Sequence, residues 1–313
     1  MPLVSIIMNC LNGERFLRQA IDSIYDQTHQ DFEIIFFDNA STDGSAEIAL
    51  AYDHRLKYHR ADKVMSLGKA RGEALSMAEG EWIAFLDVDD YWYPNKTARQ
   101  LEVLQDTDHV LCYSGILEKS YEGELIRKVF PKYRSGNQFP EQLSQFDINM
   151  VTAMVRRSAL DLNDLSFDPT IIASEEYDLF VRLSTKGTFC SVPEILGVWR
   201  IGKDTLTNKA IEFWWKDRSL TLDNLLKENP LILEEYGRYI FLARARCMYY
   251  RACWHMSLGD QLRARSFLKE AALISPIYWF LFFASFSEKF WRFIHLDKIK
   301  RRVSSWLGYA GSK

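Results

Sequence analysis

Three short apolar runs punctuate the N-terminal part of the chain: LVSIIM (3–8), FEIIFF (32–37) and EWIAFL (81–86). Each is rich in β-branched or aromatic residues and is bounded by polar positions, the pattern of a strand buried on both faces. Between them the spacing turns helical. ERFLRQAIDSIYDQ (14–27) places Phe16, Leu17, Ala20, Ile21 and Ile24 at helical intervals. STDGSAEIALAYD (41–53) opens with Ser41 or Thr42 as an N-cap and carries acidic residues in its first turn. GKARGEALSMAEG (68–80) is a third helix, ending at Gly80. Strands alternating with helices through short connections predict an α/β fold with a mostly parallel sheet and flanking helices.

Beyond about residue 110 the pattern is mixed. HVLCYSGI (109–116), GELIRKVF (123–130) and EILGVWRI (194–201) read as strands, and NMVTAMVRRSAL (149–160) as a strand running into a helix. EEYDLFVRLSTKG (175–187) reads as an amphipathic helix with apolar Leu179, Phe180 and Leu183 and a closing glycine. From about 210 to 306 strand patterns are absent, and helical stretches follow one another with breaks near Asn229-Pro230, Gly259-Asp260 and Ser275-Pro276. The expected organisation is an α/β domain over 1–208 and an all-α C-terminal extension over 209–313. Residues 244–276 have the form of one helical-repeat hairpin, and a single copy does not make an array.

Composition narrows the picture. With 313 residues, 48% hydrophobic, the chain can bury a sizeable core, and its formal net charge of -3 argues against nucleic acid as a partner. Cys10, Cys112, Cys190, Cys247 and Cys253 are odd in number, scattered and without a CxxC pair, so free thiols in a reducing compartment are expected. MPLVSIIMNCLNGERF has no basic segment ahead of its apolar run, so no signal peptide is expected, and no run of 18 apolar residues predicts a spanning helix. The expected location is therefore cytoplasmic. One stretch leaves the inner face of the cytoplasmic membrane open. Residues 286–313 hold seven basic residues against two acidic ones, a balance of +5, together with Phe290, Trp291, Phe293, Ile294 and Trp306. That tail fits a packed helix, a membrane-surface helix or a partner-binding arm.

In an open α/β sheet, ligands bind beyond the carboxyl ends of the strands. Three polar clusters fall there: Asn9 to Gly13, DNASTDG (38–44) with Asp38 and Asp43, and DVDD (87–90). No GxGxxG follows the first strand and no GxxxxGK[ST] occurs, which disfavours a Rossmann dinucleotide site and a P-loop. Asp87, Asp89 and Asp90 crowd like charges together, and a hard cation, Mg²⁺ or Mn²⁺, would relieve their repulsion and hold a diphosphate. Asp38 could accept from a base N–H or a ribose hydroxyl, and Arg71 could reach a base or phosphate oxygen. The same residues have plainer readings. Asp38 and Asp43 could cap the next helix, Asp89 and Asp90 could cap a helix starting near Pro94, and Arg71 could pair with Glu73. Trp92 and Tyr93 could be core or the floor of a site, and the six His show no ligand spacing.

VSIIMNCLNGERFLRQAIDSIYDQT, FEIIFFDNASTDGS, LGKARGEAL, GEWIAFLDVDDYWYP and SEEYDLFVRL occur in this order across roughly residues 3–205. Together they resemble the family 2 glycosyltransferases of the GT-A fold. The resemblance implies a nucleotide-diphospho-sugar donor, UDP-linked foremost, and a divalent metal. It also implies transfer with inversion to a hydroxyl of a glycan or lipid-linked acceptor, in surface polysaccharide or glycoconjugate synthesis. Carried over by position, Asp38 reads the base, Asp87 lies near ribose and metal, Asp89 contacts the metal and Asp90 supports it. Arg71 matches the basic residue of the family's ARN stretch, with Gly72 in place of Asn. Asn9, on the nucleotide side, departs from the usual Pro-Thr.

SEEYDLFVRL carries the implied catalytic base. Glu176 takes the position of the family's aspartate, and Glu175 and Asp178 are the other candidates. Glu175 and Asp178 share a helix face, whereas Glu176 is rotated by about 100° from Glu175, so only one direction can point into a cleft. A positioned carboxylate takes the acceptor proton as attack proceeds, while the metal offsets charge on the leaving diphosphate. In WRIGKDTLT (199–207) Arg200 remains, but Gly202 stands where the family often has His, with Lys203 next to it. Two other readings stay open: a nucleotidyltransferase, which NCLNGER lacks the basic Gly-rich loop to support, and a catalytically silent nucleotide-sugar-binding protein.

Overall fold

The computed structural model describes residues 3–105, 107–202 and 210–295. Lys203 and the tail beyond His295, both singled out above, lie outside the described residues. The chain divides into two compact units, one of Met1–Phe139 with Asp147–Thr205, the other of Pro140–Phe146 with Leu206–Lys313.

The first unit is a twisted, mostly parallel sheet with helices on its faces. Four parallel strands form one half, in the order β3 (Leu56–Arg60), β2 (Phe32–Asp38), β1 (Val4–Cys10) and β4 (Trp82–Phe85). Every residue of β1, β2 and β4 is buried, which is why these strands read as continuous apolar runs. β3 escapes the sequence pattern because it is an edge strand. LKYHR buries only Leu56 and pairs with β2 alone.

Helices α1 (Glu14–Tyr25), α2 (Ser45–Leu50) and α3 (Leu67–Ser76) make the crossovers. The chain steps outward from β1 to β2 to β3, and α3 returns it to the other side of β1. The strand order therefore reverses between β2 and β4, and the carboxyl ends of β1 and β4 open on a crevice. Gly80 permits the close approach behind β4, since a Cβ there would lie 2.6 Å from the Ser5 amide nitrogen.

The other half of the sheet is mixed. β9 (Met154–Arg156) is antiparallel to β4 and to β6 (Leu111–Ser120), and β10 (Phe189–Ile201) runs parallel to β6. β5 (Tyr91–Trp92) pairs with β10 at the far edge, and β7 (Leu125–Val129) and β8 (Ser135–Gly136) flank β6 and β10. β10 is longer than its apolar stretch because register shifts between Val192 and Gly197 carry the strand past Pro193. The expected strand-to-helix segment near 149–160 is a 3-10 turn, the short β9 and α6 (Arg157–Asp161). α4 (Lys96–Leu104), α5 (Phe139–Gln145) and α7 (Glu175–Ser184) complete the helices up to residue 202.

The second unit contains no strand among its described residues. After α5 come α8 (Ile211–Glu228), α9 (Leu231–Ser257), α10 (Gln261–Ile274), α11 (Tyr278–Ala284) and α12 (Glu288–His295). The breaks fall at the Asn-Pro, Gly-Asp and Ser-Pro steps, and Asp260 caps α10 by accepting from the Arg263 amide. Tyr249, Met256, Leu268, Tyr278, Leu281, Trp291 and Ile294 share one apolar core. No described helix is long and apolar enough to cross a membrane. The five cysteines are free thiols, four of them buried.

One buried charge stands out in the first unit. Lys96 is fully buried, its Nζ lies 3.9 Å from the centre of the Trp92 ring, and it has no hydrogen-bond partner. Burial pulls its pKa down to about 7. A lysine whose folded pKa lies below its unfolded value binds fewer protons folded than unfolded. Its contribution to stability is therefore complete only above the unfolded pKa and is lost as pH falls to about 7. Lys96→Met should stabilise the protein at neutral pH by about 1–3 kcal/mol and flatten the rise in stability towards alkaline pH. Denaturant melts of both proteins across that range are the check.

Candidate active site

The loops that leave β1 and β2 are stitched together. Each turns through a left-handed residue, Asn12 (φ 56°) and Ala40 (φ 61°). The Asn12 and Gly13 amides donate to the hydroxyls of Ser41 (3.0 Å) and Ser45 (2.9 Å), and the Thr42 amide donates to Asn12 Oδ1 at 2.8 Å. Asp43 accepts from the Glu14 amide at the start of α1 and from the Ser45 amide at the start of α2, so it ties the two helix N-termini together.

Asp38, at the end of β2, is wholly buried. It accepts from the Ser41 amide (2.7 Å), the Tyr58 hydroxyl (2.6 Å) and Arg60 (2.6 Å). Burial works against its charge, but these hydrogen bonds and Arg60 hold it below the usual carboxylate range. Tyr58 and Arg60 project from the edge strand β3, so no apolar pattern pointed to them. On β1, Asn9 is buried and its Nδ2 has no hydrogen-bond partner.

Arg71 joins the two carboxylate clusters. On α3 and buried, it donates to Asp87 Oδ1 (2.6 Å) and to Glu175 Oε1 (2.5 Å). The pairing with Glu73 is not made. Burial penalises the guanidinium, yet Asp87 and Glu175 keep its pKa above the ordinary value. Burial, with Glu176 beside it, pushes Glu175 up to about 7 against the pull of Arg71.

Beyond β4 the three aspartates separate. Asp87 is about a third exposed and tied to Arg71. Asp89 accepts from the Tyr121 hydroxyl at 2.9 Å, and burial together with the charge of Asp87 pushes its carboxyl up. Asp90 is buried. Its Oδ1 accepts from the Arg200 amide at 2.7 Å, and its Oδ2 has no partner. Burial, then Asp89 and Asp87, pushes it well above the carboxylate range. The Arg200 guanidinium donates to the Asp89 carbonyl and to Gln19 Oε1, between the Phe16 (4.6 Å) and Tyr91 (4.7 Å) rings. Neither Asp89 nor Asp90 caps α4, whose N-cap is Asn95. Trp92 is core, its indole donating to the Val151 carbonyl.

Tyr121 was not foreseen. It follows β6 in a polar turn, and nothing in KSYEGE marks it. Its ring fills the space beside Gly202, where a Cβ would meet the ring at 2.4 Å. The position that often carries a histidine in the family thus has no room for a side chain, and a phenol reaches Asp89 instead.

The three acids of α7 are also distinct. Glu175 is buried against Arg71, and Asp178 is buried against Arg182 on the next turn, at 2.6 Å. Glu176 is half-buried. Among the described residues no three His, Cys, Asp or Glu side chains form a closed metal site.

Comparisons with known proteins agree with this architecture. The family model described as Glycosyl transferase family 2 matches residues 5–162. The chain is 27% identical over 221 residues to the putative teichuronic acid biosynthesis glycosyltransferase TuaG of Bacillus subtilis, covering 68% of this chain and 86% of that protein. It is 29% identical over 207 residues to an uncharacterized glycosyltransferase of Rickettsia felis, covering 65% of this chain but only 34% of that one. Among solved structures it is similar to S. aureus TarS 1-349 in complex with UDP, with a TM-score of 0.65 and 17% identity over 96% of this chain and 90% of that one. It is also similar to the mannosyltransferase PcManGT from Pyrobaculum calidifontis in complex with GDP-Man and Mn²⁺. There the TM-score is 0.60 and the identity 15%, over 100% of this chain and 88% of that one. At these identities the structural likeness establishes the GT-A type of fold.

The Arg71 bridge yields a stability test. Arg71→Met leaves the Glu175 carboxyl buried without its cation, at a cost of about 3–5 kcal/mol. A carboxyl with a raised folded pKa loses stability as pH climbs towards that pKa, so the loss should be larger near pH 8 than near pH 6. Adding Glu175→Gln should recover part of it, as measured by a double-mutant cycle in urea.

Proposed function

The chain belongs to glycosyltransferase family 2, and we propose that it transfers a sugar from a nucleotide-diphospho-sugar, with UDP as the carrier, to a hydroxyl acceptor. The observation that carries this reading is the convergence of Asp38, the Asp87–Asp90 cluster and the acids of α7 on one edge of the sheet, with Arg71 joining Asp87 to Glu175. The proposed acceptor is a glycan or lipid-linked glycan, the outcome inversion, and the setting cell-surface polysaccharide synthesis on the cytoplasmic side. The likeness to the putative teichuronic acid biosynthesis glycosyltransferase TuaG supports the setting.

Asp38 and Arg60 would meet the base together, as an acceptor beside a donor. That pair complements an N–H next to a C=O, which uracil and guanine both present. Asn9 Nδ2 offers an unspent donor on the same side. Asp87 would take the ribose, held in place by Arg71.

The residues fit a divalent cation. Asp89 and Asp90 are pushed up by burial and then by crowding, which a nearby cation offsets, and Asp90 Oδ2 is an orphaned oxygen. Asp89, with Asp87, would hold the ion, and one or two carboxylates plus substrate phosphates suffice for Mg²⁺ or Mn²⁺. When bound, the ion supplies positive charge against the diphosphate as it leaves. Asp90 serves the site by fixing the Arg200 amide and thus the end of β10.

Glu176 is the proposed base. Glu175 and Asp178 are buried, whereas Glu176 is half-buried at the start of α7. Its carboxylate would accept the acceptor hydroxyl's proton as the oxygen attacks the anomeric carbon.

Calorimetric titration with UDP, GDP and dTDP, with and without Mn²⁺, tests the donor reading; guanosine belongs in the panel because PcManGT is in complex with GDP-Man. UDP should bind in a metal-dependent way, and Asp89→Ala should remove the metal dependence. Absence of metal-dependent binding by all three would end the donor-site reading. Glu176→Gln should leave donor binding intact and lower kcat by about 10²–10⁴. Undiminished turnover would instead show that Glu176 is not the base.

A further inference from the structure

The second unit exposes a run of phenylalanines that its core does not use. Phe280 and Phe283 of α11, Phe286 in the turn, and Phe290 and Phe293 of α12 are 42%, 67%, 57%, 43% and 54% exposed. Both helices repeat one design. Leu281 and Ala284 of α11, like Trp291 and Ile294 of α12, face the core, while phenylalanines at the same i, i+3 spacing face outward. The outward rings touch across the helices. Phe280 meets Phe290 at 6.3 Å and Phe290 meets Phe293 at 6.5 Å, while Phe282 links Phe283 (5.4 Å) to Phe286 (5.5 Å). Clustered exposed apolar surface of this kind marks an interaction site.

The charges around it indicate the partner. Arg265 lies over the Phe286 ring at 4.4 Å, and Lys289 and Arg292 are exposed on α12. Glu288, the acid of that helix, is paired with Arg292. A second copy of this face would bring like charges together. A sheet of anionic headgroups over hydrocarbon matches both the basic rim and the aromatic centre.

We propose that the phenylalanine face of α11 and α12 seats the second unit on the surface of an anionic lipid bilayer. The surface owes nothing to the donor site, so this proposal and the catalytic reading fail separately.

Flotation of the full chain with phosphatidylcholine vesicles, with and without about 30 mol% phosphatidylglycerol, is the test. The protein should float with the anionic vesicles, and less so as salt is raised. Phe283→Ser with Phe293→Ser should lower the bound fraction at limiting lipid by about tenfold or more. Lys289→Glu with Arg292→Glu should weaken binding to the anionic vesicles. Both positions are solvent-exposed, and far-ultraviolet circular dichroism and nucleotide titration of each variant confirm that the fold is retained. Failure of the unaltered chain to bind, or equal binding by the phenylalanine variant, overturns the proposal. So does a concentration-dependent dimer in sedimentation that the phenylalanine variant abolishes, since the face would then be covered by a second copy.

Discussion

The site depends on one buried guanidinium. Arg71 holds Asp87, which follows β4, and Glu175, which opens α7. These acids come from distant parts of the chain, and without a cation between them burial would force one to give up its charge. The bridge fixes the position of the α7 N-terminus relative to the end of β4, and so the distance between the acids that follow β4 and Glu176. Compensation is incomplete, however. Among the described residues, Asp87, Asp89, Asp90, Glu175 and Glu176 gather around Arg71 and Arg200, five carboxylates to two guanidiniums. The raised affinity of Asp89, Asp90 and Glu175 for protons expresses that surplus. It is the physical reason the edge of the sheet should welcome added positive charge.

Much of this was legible in the sequence, for a specific reason. Strands buried on both faces write themselves as unbroken apolar runs, and the chemistry of such a sheet lies where those runs stop. LVSIIM, FEIIFF and EWIAFL therefore located both the sheet and Asn9, Asp38 and Asp87. What the sequence left open were partners. Asp43 and Asp38 looked alike as possible caps, yet Asp43 ties two loops together while Asp38 is enclosed by Tyr58 and Arg60. Those two come from β3, an edge strand whose polar residues imitate a loop. Helical geometry could say that Glu175 and Asp178 share a face, but not that each is bound to a different arginine. An arginine four residues along the helix is visible in a sequence. One more than a hundred residues upstream is not.

Tyr121 and Gly202 carry the point furthest. Read alone, Gly202 is a loss, a missing side chain beside an acidic site. In the fold it is a fit, since a Cβ would overlap the Tyr121 ring and the phenol delivers a hydrogen bond to Asp89. A phenol donates to a carboxylate without adding charge, so it orients Asp89 while leaving the local surplus of negative charge intact. An imidazole there could add a proton or take a share of a cation. In the proposed donor site the exchange would leave the holding of a diphosphate's counter-ion to Asp87 and Asp89, and it makes Tyr121 and Gly202 a coupled pair. A side chain at 202 without a smaller residue at 121 would displace the ring and take the Tyr121 hydroxyl away from Asp89.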